Sequence, residues 1–162
     1  MELVREEQYM MLRVLDILLE TMVDGPGLRT SIYAAGCKHA CKGCHNPQSW
    51  DFYAGRLVEV DDLLEIVMSD PFADVSFSGG DPLYQVEGFT ELARRIKEET
   101  SKNIWCWTGF TFEEVRADER LSMILPYIDV LVDGPFIESL RDPRLLFRGS
   151  SNQRIIDLKK VL

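Results

Sequence analysis

The stretch "ADVSFSGGDP", residues 73–82, has a short apolar middle and ends in a Gly-Gly turn. A strand covered on both faces of a parallel sheet reads this way. Helical sequence lies on either side. After it, "VEGFTELARRIKEET" (86–100) places Val86, Phe89, Leu92, Ala93 and Ile96 at helical spacing. Before it, "VDDLLEIVMSDP" (60–71) predicts a helix with Asp62 as cap, Glu65 completing a capping box and Pro71 as its stop.

The same rhythm continues outward in both directions. "LRTSIYAAG" (28–36) predicts a strand that ends at Gly36, behind the turn "DGPG" (24–27). "RVLDILLETM" (13–22) fits a strand or a short helix equally well. "NIWCWT" (103–108) and "YIDVLVDG" (127–134) predict strands, and "QRIIDL" (153–158) a last one. "TFEEVRA" (111–117) opens a helix with Thr111 and Glu114 at capping-box spacing. Alternation of strand and helix implies parallel strands joined by right-handed crossovers. An eight-unit barrel takes ~250 residues, and 162 residues hold only about five units. The expected sheet is therefore open, either doubly wound or an incomplete barrel. Ligands of both architectures collect at the C-terminal ends of the strands. Four turn-rich segments fall there: the cysteine loop, "SGGDP", "TGF" and "DGPF".

Bulk properties narrow the function. A chain of 162 residues with 46% hydrophobic content has a real core and reads as one domain over 1–162. Its net charge of −9 argues against a nucleic-acid partner, which wants a basic face. The acidic start "MELVREEQYMMLRVLDILLE" lacks the basic and apolar regions of a signal peptide. No apolar run approaches the ~20 residues of a membrane span. A cytoplasmic protein with reduced thiols is expected.

That expectation bears on "GCKHACKGCHNP" (36–47), which holds Cys37, Cys41 and Cys44 within a few residues of His39 and His45. Four chemistries fit such a loop. A structural zinc site wants four ligands, usually two pairs, and a histidine would have to serve as the fourth. "CKGC" (41–44) has the spacing of a redox pair but leaves Cys37 unused. Buried cysteines without a role fit poorly between turn-forming glycines and the lysines Lys38 and Lys42. A four-iron cluster is normally held by four thiolates, so three would leave one iron open to an outside ligand. Asp81, at the end of "SGGDP", reads either as a charge near such a ligand or as the close of an ordinary turn. Glycines 79 and 80 would let the backbone approach it closely.

Taken together, the C-x3-C-x2-C loop after a strand and "SGGDP" after the next resemble the radical S-adenosylmethionine (SAM) family. Gly43 stands where that family usually has an aromatic residue. The ordered set "DGPGLRTSIYAAGC", "CKGCHNPQSW", "SGGDPL", "WTGF", "VDGPF" and "FRGSSNQRIIDL" narrows the likeness. It resembles the glycyl-radical activases that serve anaerobic ribonucleoside-triphosphate reductase. The resemblance implies an α/β fold, an incomplete, open (β/α) barrel of the radical SAM type with about five parallel strands. It implies a 4Fe-4S cluster on Cys37, Cys41 and Cys44, with SAM on the fourth iron. It implies SAM contacts from Gly43, Cys44, His45, Ser78, Gly79, Gly80 and Asp81. Reductive cleavage of SAM would yield a 5′-deoxyadenosyl radical, which takes hydrogen from a glycine of the partner. The implied partners are the reductase large subunit and a flavodoxin-type electron donor. Other radical SAM enzymes, including a formate-lyase activase, share parts of this pattern. His39 reads as a polar loop residue and Cys106 as packing. Asp133 and the late arginines Arg141, Arg144, Arg148 and Arg154 have no assigned role. Asp24, Gly25, Pro26, Gly27 and Arg29 form either a partner-facing rim or a bare turn.

Overall fold

A computed structural model describes residues 10–44 and 46–162. Among them lie seven strands: β1 (Met11–Thr21), β2 (Arg29–Ala34), β3 (Arg56–Glu59), β4 (Asp74–Gly79), β5 (Ile104–Trp107), β6 (Val130–Asp133) and β7 (Arg154–Asp157). The helices are α1 (Val60–Met68), α2 (Val86–Glu99), α3 (Phe112–Ala117) and α4 (Leu158–Val161). The strands form one sheet in the order β3-β1-β2-β4-β5-β6-β7. Pairings from β2 through β4 and β5 to β6 are parallel. Those of β1 with β2, β1 with β3 and β6 with β7 are antiparallel.

The expected incomplete (β/α) barrel of about five parallel strands is thus corrected to a mixed seven-stranded sheet with few helices. The cause lies in the connections. Parallel neighbours need a long crossover, but antiparallel ones need only a return. The stretches 22–28 and 134–153 contain no helix beyond a single short 3-10 turn at Glu138–Leu140, so each returns its chain antiparallel.

Alternation along the strands separates two faces. Ile32, Phe77, Cys106 and Leu131 are register neighbours on one face. They join buried Leu63, Leu64 and Val67 of α1 and Phe89, Leu92 and Ile96 of α2 in one core. Ser31, Ser76, Trp105 and Val130 are register neighbours on the other face, followed by Tyr33 and Ser78. "DVSFS" is therefore apolar on one side only. The hydroxyl-rich face is covered by loops instead. Arg29 is buried there and donates to Ser76 Oγ at 2.7 Å, Pro26 O at 2.8 Å and Val75 O at 2.9 Å. Those bonds hold the "DGPG" turn over the sheet, and burial lowers the Arg29 pKa.

The capping predictions divide. Thr111 caps α3, accepting from Glu114 N at 3.2 Å. Asp62 does not cap α1: the helix starts earlier, with Glu59 at its N-cap and Asp62 inside the first turn. There its charge still complements the helix dipole. The ambiguous segment 13–22 is strand up to Thr21, paired with both β2 and β3.

Candidate iron–sulfur centre

The parallel strands end together, and all four turn-rich segments meet at that end. They line one open cavity of about 370 Å³. Cys37, His39, Cys41 and Cys44 come from the loop after β2, and Ser78, Gly79 and Gly80 from the end of β4. Trp107, Thr108 and Gly109 come from the end of β5, and Gly134 and Phe136 from the end of β6. Asp24 adds to its wall from the covering loop, and its carboxylate accepts from the Tyr33 hydroxyl.

The loop after β2 is fastened at both ends. Gly36 N donates to Ser49 O at 2.8 Å, and Cys37 N to Trp50 O at 3.3 Å. Cys44 N closes a turn onto Cys41 O at 3.1 Å. The three thiols are free and half-buried. Burial pushes the Cys37 thiol up to about 11. The Asn46 N–H points at Cys44 Sγ, 3.5 Å away. Among the described residues, no three His, Cys, Asp or Glu side chains stand together as a site for a single ion.

The Gly-Gly pair is set by its neighbours' backbone. A Cβ on Gly79 would lie 2.4 Å from Ala34 N, and one on Gly80 2.5 Å from Gly36 O. Gly80 N donates to Ala34 O at 2.8 Å and Asp81 N to Gly36 O at 2.9 Å, so the pair extends the β2–β4 contact up to the cysteine loop. Among the described residues nothing donates to the Gly80 carbonyl.

Asp81 is fully buried. Its Oδ1 accepts from Leu83 N at 2.9 Å. Its Oδ2 accepts from Thr108 Oγ1 and Gly109 N, each at 2.9 Å, and lies 2.6 Å from His39 Nε2. Its carboxylate is thus engaged within the protein. Gly43, by contrast, is exposed and faces a neighbouring cavity of about 240 Å³ with Arg141 and Arg148. His45 lies outside the described residues.

The remaining residues of the sequence analysis find places. Cys106 is buried in the core, on the face opposite Trp105 and Trp107, and burial raises its thiol pKa well above the ordinary value. Asp133 accepts from Phe112 N at 2.7 Å and from Arg154 Nη2 at 2.6 Å. Arg154 also holds Glu113, with Nη1 to Oε1 at 2.9 Å and Nη2 to Oε2 at 2.6 Å. In "RGSSNQR" (148–154), Gln153 Oε1 accepts from Gly149 N at 2.8 Å, while its Nε2 donates to Gly134 O at 3.0 Å. That motif ties the last loop to the end of β6 and brings Arg148 to the cavity. His39 is the residue that sequence reasoning missed. Its only sequence signal was its place between two cysteines.

Comparison with known proteins agrees with the cavity's chemistry. A family model described as a 4Fe-4S single cluster domain matches residues 23–156. The anaerobic ribonucleoside-triphosphate reductase-activating protein of Haemophilus influenzae is 42% identical over 144 residues, covering 83% of this chain and 90% of that protein. The chain belongs to the family of anaerobic ribonucleoside-triphosphate reductase-activating proteins. The activating protein of Pasteurella multocida is 40% identical over 144 residues, with 83% and 90% covered. That of Escherichia coli K12 is 37% identical over 146 residues, with 85% and 94% covered. The family-model match over 23–156 takes in all the residues that line the cavity. The donor set fits the cluster that the family model describes. Soft thiolates are the usual iron–sulfur ligands, and here three free thiols share one roomy cavity. No helix among the described residues is long and apolar enough to cross a membrane.

Proposed function

We propose that this chain activates an anaerobic ribonucleoside-triphosphate reductase by generating a glycyl radical on its large subunit, with a flavodoxin-type donor supplying the electron. One observation carries the reading: the three cysteines and the Gly79-Gly80 turn line a single open cavity. When bound, a 4Fe-4S cluster and SAM supply the electron and the 5′-deoxyadenosyl radical that takes hydrogen from a glycine Cα. Cys37, Cys41 and Cys44 would be the protein ligands that hold the cluster, and SAM would bind beside them.

The chain's own groups bind and orient. The Gly80 carbonyl, without a donor among the described residues, would accept from the SAM ammonium. Ser78 and Gly79 form the wall beside it. The Asn46 N–H at Cys44 Sγ is the kind of contact that tunes a cluster's potential. Asp81 acts one step behind the ligand, since its carboxylate is held by Leu83, Thr108, Gly109 and His39. Trp107 and Phe147 wall the cavity on one side, the indole donating to Phe147 O at 2.8 Å. They would keep water from that side of the cavity, and the open mouth would admit a glycine-bearing segment.

The test is iron content with SAM turnover. Anaerobically reconstituted protein should carry about four irons and form 5′-deoxyadenosine when reduced. Cys41→Ala should lose both. One zinc per chain, or full turnover by Cys41→Ala, would overturn the reading.

A further inference from the structure

We infer that His39 and Asp81 form a latch that holds the cysteine loop against the ends of β4 and β5, which makes His39 a positioning residue for the three cysteines. The Asp81 carboxylate sits at a junction. It accepts from Leu83 on its own segment, from Thr108 and Gly109 after β5, and from His39 between the first two cysteines. Three walls of the cavity are tied to one carboxylate. Because Asp81 Oδ2 is an acceptor for all of its partners, Nε2 of His39 carries a proton and donates.

The imidazole is packed as well as bonded. It meets Phe110 edge-on at 4.5 Å between ring centres and Tyr84 at 5.4 Å. Its side chain is only 14% exposed. A Cβ on Gly109 would stand 2.5 Å from His39 Cδ2, so the strand end leaves room for this ring and nothing more. The residue that follows is under backbone strain. Ala40 takes a φ of 50°, a left-handed conformation that is unfavourable for a non-glycine residue. Strain of this kind persists only where surrounding contacts over-determine it. The loop's other side-chain attachments are weak. Lys42 is 93% exposed and lies 3.9 Å from Glu138, and Lys38 stands 5.6 Å from the Phe52 ring centre. Surface contacts of that sort contribute little. A buried hydrogen bond to a carboxylate contributes more, and removing its partner leaves a buried acceptor short of a donor.

The latch itself needs no cluster; only its consequence for iron retention rests on the reading of the three cysteines as ligands. Two substitutions separate bonding from packing. His39→Phe keeps an aromatic ring and loses the donor, while His39→Gln keeps a donor and loses the ring. Amide hydrogen exchange of the full-length chain, metal-free and reconstituted, is the readout. In His39→Phe, exchange across residues 37–44 should rise about tenfold or more over wild type, with β4 and β5 protected as before. In His39→Gln it should stay within about threefold. The reconstituted Phe variant should also release iron to a chelator faster than the Gln variant. Wild-type exchange in His39→Phe, or equal acceleration in both variants, would overturn the latch. A measurement without substitution guards against misfolding. Nitrogen NMR of the wild-type chain should show a slowly exchanging proton on His39 Nε2, and a fast-exchanging one would refute the bond. If wild type holds no iron, the cluster reading fails while the exchange data still judge the latch.

Discussion

Gly80 is dictated by its surroundings rather than by a turn. A methyl there meets Gly36 O at 2.5 Å and Ser49 O at 2.8 Å, both backbone atoms that no rotamer change can move aside. Gly80→Ala should cost about 3 kcal/mol, as overpacking does. The thermal midpoint should fall well below that of Gly27→Ala, where nothing lies within 4 Å and only the positive φ is strained. Cys106 gives the complementary case. It is buried in the core, away from the cavity, so Cys106→Ala should lower stability by about 1–2 kcal/mol. Iron content should not change, which elemental analysis after reconstitution checks. Single residues were legible where their neighbours in sequence explained them. The crowding of Cys37, Cys41 and Cys44 marked the cavity, and alternation with Trp105 and Trp107 put Cys106 on the other face. The bonds of Asp81 to His39, Thr108 and Gly109 were not legible, because those partners are distant in sequence. His39 was missed for the same reason.

At the scale of elements, the last strand is held by charge. Arg154 of β7 spans Glu113 at the start of α3 and Asp133 at the end of β6. Its hydrogen bonds hold the Glu113 carboxyl down to about 2, from an ordinary value near 4.3. A carboxylate with a depressed pKa contributes stability above its unfolded value and loses it as pH falls through its folded value. Glu113→Gln should therefore lower the thermal midpoint slightly at pH 6 and by much less near pH 2. Salt should shrink the difference, since Glu113 is exposed and screened. An equal difference at both pH values would contradict the link. Long helices and well-separated strands were visible in the pattern, as 86–99 shows. β3 was not, because the four residues "RLVE" run straight into α1. Nor does Asp62 cap α1, because strand pairing carries the chain to Glu59 and leaves Glu59 as the N-cap.

At the scale of the molecule, one layer of helices covers one face of the sheet and loops cover the other. Strand–helix alternation could not show this, since it counts elements and not their directions. The serines of "DVSFS" did carry the signal: Ser76 and Ser78 face away from the helices. What survives the change of architecture is the convergence of four loops at the ends of the parallel strands, which rests on β2, β4, β5 and β6 alone. The cavity there stays open on one side, as suits a protein whose substrate is a segment of a larger chain. The decisive measurement is electron-spin resonance of the reductase after incubation with this protein, SAM and a low-potential reductant. A glycyl-radical signal on the reductase, absent with Cys41→Ala, is the predicted result. A reductase that stays silent beside protein holding about four irons per chain would contradict it.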